Sequence, residues 1–158
     1  AWYVGCWASE IKSKRIMGKT ILNQPIIFYR DLSGAIVAME DRCCHRHAPL
    51  SKGRLEGDNV RCLYHGLKFN KSGQCIEIPG SDRIKKNLCV KTFPVFEKNN
   101  LVWVWLGDDG LANNNEIIDC TFLKDDEWEY TEDYLFYQSD CSKNPDHSHL
   151  SQLSYYLV

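Results

Sequence analysis

Apolar residues along the first two thirds of the chain come in short runs, broken every eight to twelve residues by polar clusters: "DLSGA", "LEGDN", "NKSGQ", "PGSD" and "EKNN". That rhythm predicts short antiparallel strands in a sandwich or barrel, a mostly β fold. "PIIFYR" and "AIVAME" flank "DLSG" as a hairpin, and "LVWVWLG" follows a turn at Asn99 and Asn100. In that last run Leu101, Trp103 and Trp105 share one face and Val102, Val104 and Leu106 the other. A strand apolar on both faces belongs in the middle of its layer.

The rhythm stops at "GDDGLANNNE", Gly107 to Glu116, which reads as a linker of turn formers with little to bury. Two units are therefore expected, residues 1–115 and 116–158. In the second, "WEYTEDYLFYQS" has the composition of a strand. "NPDHSHLSQL" reads as the start of a helix, with Asn144 as cap, Pro145 in the first turn and Asp146 near the positive end of the dipole. An opening without methionine and an end at the apolar "SYYLV" suggest a piece of a longer chain.

Composition narrows the function classes. With 44% hydrophobic and 25% charged residues in 158, the chain has enough apolar material for a full core. A net charge of -2 and dispersed basic residues offer no footprint for nucleic acid. No apolar run approaches the roughly 18 residues of a membrane span, and "AWYVGCWASE" lacks the form of a signal peptide, so a cytoplasmic protein is expected. Eight cysteines in such a chain suit a reducing compartment better than a disulfide framework. Cys6, Cys75, Cys89, Cys120 and Cys141 stand singly among apolar or strand-like residues and are expected to be small buried hydrophobes.

The remaining cysteines lie in "CCHRHAPLSKGRLEGDNVRCLYHG". One residue separates Cys43 from His45, sixteen separate His45 from Cys62, and two separate Cys62 from His65. In an extended segment Cys43 and His45 face one side while Cys44 points away. Each half then offers one thiolate and one imidazole, the donor set of a Rieske two-iron two-sulfur cluster. The alternative is zinc, but zinc sites usually pair like ligands within each half. His47 is expected to serve loop packing rather than ligation.

The run from Cys43 through "GLKFNKSGQCIEIPG" resembles the Rieske domain of the ring-hydroxylating and O-demethylating non-haem iron oxygenases, vanillate O-demethylase oxygenase components among them. "AWYVGCWASEI" and "NNLVWVWLGD" resemble that domain's opening and closing strands. The resemblance implies a Rieske antiparallel β-sandwich with Cys43, His45, Cys62 and His65 as cluster ligands. It also implies that Glu77 to Gly80, "EIPG", is a proline loop shielding the cluster. Cys44 departs from it, since relatives more often carry proline there.

A second, helix-grip α+β domain is implied too, its mononuclear non-haem Fe(II) held by two histidines and a carboxylate. Against its "D-x-x-H-x4-H" segment this chain supplies Asp146, the implied electron bridge between subunits, and His149, an implied iron ligand, but Ser154 in place of the second histidine. His147 cannot share a helix face with His149. The implied partners are a reductase or ferredoxin donor, a small aromatic substrate and O2, and the implied assembly is a homotrimer. The expected function is electron transfer within an oxygenase component, as monooxygenase, O-demethylase or dioxygenase, with a standalone Rieske ferredoxin as the alternative. With its iron site incomplete, this stretch is expected to assemble a cluster but not to turn over.

Overall fold

The computed structural model describes residues 1–81, 83–85 and 87–120, together with the backbone of 130–133 and 154–157. Its strands are β1 (Trp2–Trp7), β2 (Met17–Ile21), β3 (Gln24–Arg30), β4 (Ile36–Glu40), β5 (Arg54–Glu56), β6 (Asn59–Arg61), β7 (Lys68–Phe69), β8 (Cys75–Glu77), β9 (Thr92–Phe93), β10 (Val95–Lys98), β11 (Leu101–Trp105), β12 (Tyr130–Asp133) and β13 (Ser154–Leu157). They pair in the orders β1-β11-β10, β2-β3-β4-β9, β5-β6-β7-β8 and β12-β13, and every described pairing is antiparallel. The expectation of a mostly β, antiparallel fold is met.

Side-chain alternation along β3 builds the layers. Ile26 and Phe28 enter one core with Cys6, Ala38, Phe93, Val102 and Val104, between the β1-β11-β10 and β2-β3-β4-β9 sheets. Ile27 and Tyr29 enter a second core with Met39, Leu50, Val60 and Phe69, against the β5-β6-β7-β8 sheet. The four central residues of β3 are wholly buried, and each large apolar side chain so placed contributes about 2 kcal/mol. β3 and β4 form the expected hairpin, Arg30 pairing with Ile36. Asp31 closes it by accepting the Ser33 and Ala35 N–H groups at 2.9 and 3.0 Å.

β11 is central, as its apolar faces predict, and all five of its residues are buried. The turn before it takes Asn99 and Asn100 to φ 55° and 60°, a left-handed pair that suits a tight hairpin. The outer face of β1 and β11 buries Trp7, Leu101 and Trp103 beneath Ile117. The stretch read as a linker leads to Ile117 through two 3-10 turns, Asp109–Leu111 and Asn114–Glu116, capped by Asp108 and Asn113. Trp2 and Trp105 donate from Nε1 to Asn113 and Asp108 carbonyls, each at 2.8 Å. Its turn formers therefore make a strap, a purpose that composition does not reveal.

Among the described residues every cysteine is a free thiol. Cys6 and Cys75 are buried as expected, and Cys120 is half-buried. Cys89 is exposed, which corrects the expectation of burial. It forms an isolated antiparallel bridge with Gln74 and faces outward, while its neighbours Leu88 and Val90 pack into the core. Cys141 and the helix expected from Asn144 lie outside the described residues, as do Asp146, His147 and His149. β12 falls within the run of strand-like composition, and β13 turns the apolar end of the chain into its antiparallel partner. Among the described residues no helix is long and apolar enough to cross a membrane.

Candidate metal centre

Two loops leave the second core side by side, one after β4 and one after β6. Both are built on one backbone frame. The Cys43 N–H donates to the Ala48 carbonyl at 2.9 Å, and the Cys62 N–H to the Leu67 carbonyl at 2.8 Å. Within each loop a return bond closes the turn, from the His47 N–H to the Cys43 carbonyl at 2.9 Å and from the Gly66 N–H to the Cys62 carbonyl at 3.1 Å. Such a turn needs its fifth residue in the left-handed region, where His47 has φ 57° and Gly66 φ 74°. His47 is exposed, so it does not pack the loop as expected; it occupies a backbone position that glycine fills in the twin loop.

The frame sorts the donors. Cys43 and Cys62 point into the core, each 2% exposed. Burial pushes the Cys43 thiol up, with a backbone N–H of His45 opposing and the Cys62 side chain beside it adding to the rise. Two thiols side by side in an apolar pocket do not both ionise without a cation between them, so this pair suits a bound metal. His45 and His65 stand outside, both exposed, with ring centroids 4.6 Å apart and planes at 63°. Among the described residues no three His, Cys, Asp or Glu side chains gather to hold a single metal ion. The donors come as a thiol pair beneath an imidazole pair, the division that a two-iron cluster takes and a single zinc does not. Cys44 turns away and packs half-buried against the core.

A charge network braces the second loop. Arg61 donates from Nε and Nη2 to the two Glu56 oxygens at 2.6 and 2.8 Å, and from Nη2 to Glu77 Oε1 at 2.8 Å. Its Nη1 reaches the Gly66 carbonyl at 2.7 Å. Lys68 Nζ completes the quartet, 3.1 Å from Glu56 and 2.6 Å from Glu77. The Arg61 hydrogen bonds first, then those of Lys68 and Arg54, hold the Glu56 carboxyl at about 2. Lys68 and then Arg61 lower Glu77. Pairing of Arg61 with Lys68 and of Lys68 with Glu77 across β6, β7 and β8 lines these charges up. The sequence reading missed Arg61, Glu56 and Lys68, since only the register makes their alternation of sign meaningful.

The "EIPG" loop closes over the same place. A Cβ on Gly66 would lie 2.8 Å from Pro79 Cγ, so only glycine lets the histidine loop and the proline loop meet. The proline loop thus packs directly against the turn that carries His65.

Comparison with known proteins points the same way. The chain is 50% identical over 139 residues to the toluene-4-sulfonate monooxygenase system iron-sulfur subunit of Comamonas testosteroni, across 88% of this chain and 40% of that subunit. It is 39% identical over 130 residues to the vanillate O-demethylase oxygenase subunit of a Pseudomonas species, across 82% of this chain and 36% of that protein. The crystal structure of dicamba monooxygenase bound to dicamba superposes with a TM-score of 0.79 at 38% identity, covering 85% of this chain and 40% of that one. The chain thus spans less than half the length of these relatives. Residues 1–94 match the Rieske [2Fe-2S] domain, the module in which thiol and imidazole pairs share two irons, and the chain belongs to that family.

Proposed function

We propose that this chain is the electron-receiving part of a Rieske-type oxygenase component, with Cys43 and Cys62 holding the inner iron and His45 and His65 the outer one. The single observation that carries the reading is the sorting of donors on twin loops, thiols buried and imidazoles at the surface. When bound, the cluster supplies one-electron transfer. The residues do the rest: buried sulfurs exclude water from the inner iron, Arg61 fixes the loop that carries His65, and Pro79 covers it. Exposed imidazole edges give a donor its point of approach.

Residues 1–115 form the electron-transfer unit in this reading, and 116–158 open a catalytic helix-grip domain. There Asp146 is the bridge between subunits and His149 a ligand of mononuclear Fe(II). The complete oxygenase is a cytoplasmic homotrimer taking electrons from a reductase or ferredoxin. Its substrate is a small aromatic compound oxidised with O2, an assignment supported by relatives named for toluene-4-sulfonate and vanillate, both substituted benzenes.

The test is electron paramagnetic resonance of the anaerobically purified, dithionite-reduced protein, with iron and acid-labile sulfide measured together. A signal of low average g with two irons and two sulfides per chain is expected. Zinc without sulfide would overturn the reading.

A further inference from the structure

The geometry points to Tyr64 as the positioning residue that sets the plane of the His65 imidazole. This inference rests on the reading that His65 is a cluster ligand. Tyr64 is 64% exposed, and its neighbour Leu63 is 69% exposed. A large aromatic left in water does little for a core. Its ring lies instead against His65, centroids 3.9 Å apart and planes tilted by 39°. From another direction the His45 ring meets His65 edge-on at 4.6 Å. Among the described residues these are the rings that touch His65.

The torsion that turns a histidine ring is broad and selects no plane by itself, so the neighbours must. Offset and tilted aromatic contacts are favourable, and at 3.9 Å the Tyr64 ring stands close enough to block rotation of the imidazole, a restraint as well as a cover. Groups around a ligating imidazole orient it and tune the metal it holds. Ligation fixes where the His65 nitrogen sits but leaves rotation about that bond, so without the Tyr64 ring the His65 plane would keep only the edge of His45 as a ring contact and would sample a wider range of angles. A spread of ligand angles is read directly as broadened g-values in a reduced cluster.

Three variants test this: Tyr64→Ala, Tyr64→Phe and Leu63→Ala, each reduced anaerobically and compared with the parent protein by electron paramagnetic resonance. The rate of cluster loss to EDTA is measured alongside. The parent spectrum judges whether a Rieske cluster is present, separately from the role of Tyr64. Tyr64→Ala is expected to broaden and shift the signal and to speed cluster loss by about three- to tenfold, the equivalent of one aromatic pair. Tyr64→Phe, which keeps the ring, should match the parent, as should Leu63→Ala, which alters an equally exposed neighbour. A parent-like Tyr64→Ala spectrum would overturn the proposal, and so would a Tyr64→Phe spectrum altered as much as that of Tyr64→Ala.

Discussion

Arg61 Nη1 donates to the Gly66 carbonyl at 2.7 Å, so the residue before one ligand candidate, Cys62, holds the residue after another, His65. The same guanidinium spans Glu56 and Glu77, and its side chain is only 13% exposed. Arg61→Met should leave the Gly66 carbonyl unpaired, Glu77 dependent on Lys68, and Glu56 dependent on Lys68 and Arg54. We expect a loss of about 2 kcal/mol in urea unfolding and a lower cluster content after reconstitution. Unchanged values of both would show that the network is incidental to the loop.

Acid sensitivity follows from the same carboxylates. Glu56 is held at about 2, against an ordinary 4.5, chiefly by Arg61. Asp31 is held at about 2 against 3.8, chiefly by the Ser33 hydroxyl and then Lys71. A depressed folded-state value means that the stabilisation is complete above the unfolded-state value. It drains away as pH falls from about 4.5 towards 2, because the unfolded chain takes up protons first. Urea midpoints measured from pH 6 down to pH 3 should fall, and Glu56→Gln should flatten that slope.

The twin frame makes opposite predictions for its two fifth positions. His47 holds φ 57° with a side chain that disfavours it, so His47→Gly should stabilise the fold by about 0.5–1 kcal/mol, net of glycine's entropy. Gly66→Ala adds a methyl group at φ 74° that meets Pro79 Cγ at 2.8 Å. It should destabilise by about 1–3 kcal/mol and weaken cluster retention. Thermal unfolding of both variants beside the parent decides the matter, and a destabilised His47→Gly would refute the equivalence of the loops.

Thiol reactivity should follow burial. Cys89 lies in the open and should react with maleimide first in the native protein. Cys6 is wholly buried and pushed up to about 12 by that burial, and Cys75 is also raised by burial, so both should stay unmodified until the chain unfolds. Mass spectrometry after a short exposure reads the order. Cys62→Ser should abolish the cluster signal, whereas Cys44→Ala should retain it because that side chain faces the core and not the donors.

Much of this molecule is determined by local rules. Alternation along "PIIFYR" and "LVWVWLG" is enough to name the strands, to place β11 in the middle of its sheet and to call the fold mostly β, since a period of two admits one geometry. The pairing of one cysteine with one histidine in each half is likewise enough to propose the donor set, because ligand chemistry is carried by residue type and spacing. What spacing does not contain is register and packing. Only the β5-β6-β7-β8 pairing brings Arg61, Lys68, Glu56 and Glu77 together, and only the bridge to Gln74 turns Cys89 outward. Only the indole hydrogen bonds of Trp2 and Trp105 to the Asn113 and Asp108 carbonyls make a strap of a stretch that reads as a linker. The left-handed turn that His47 shares with Gly66 was equally hidden, because a hydrogen bond that closes a loop is set by where the chain returns and not by the residue that bears the strain.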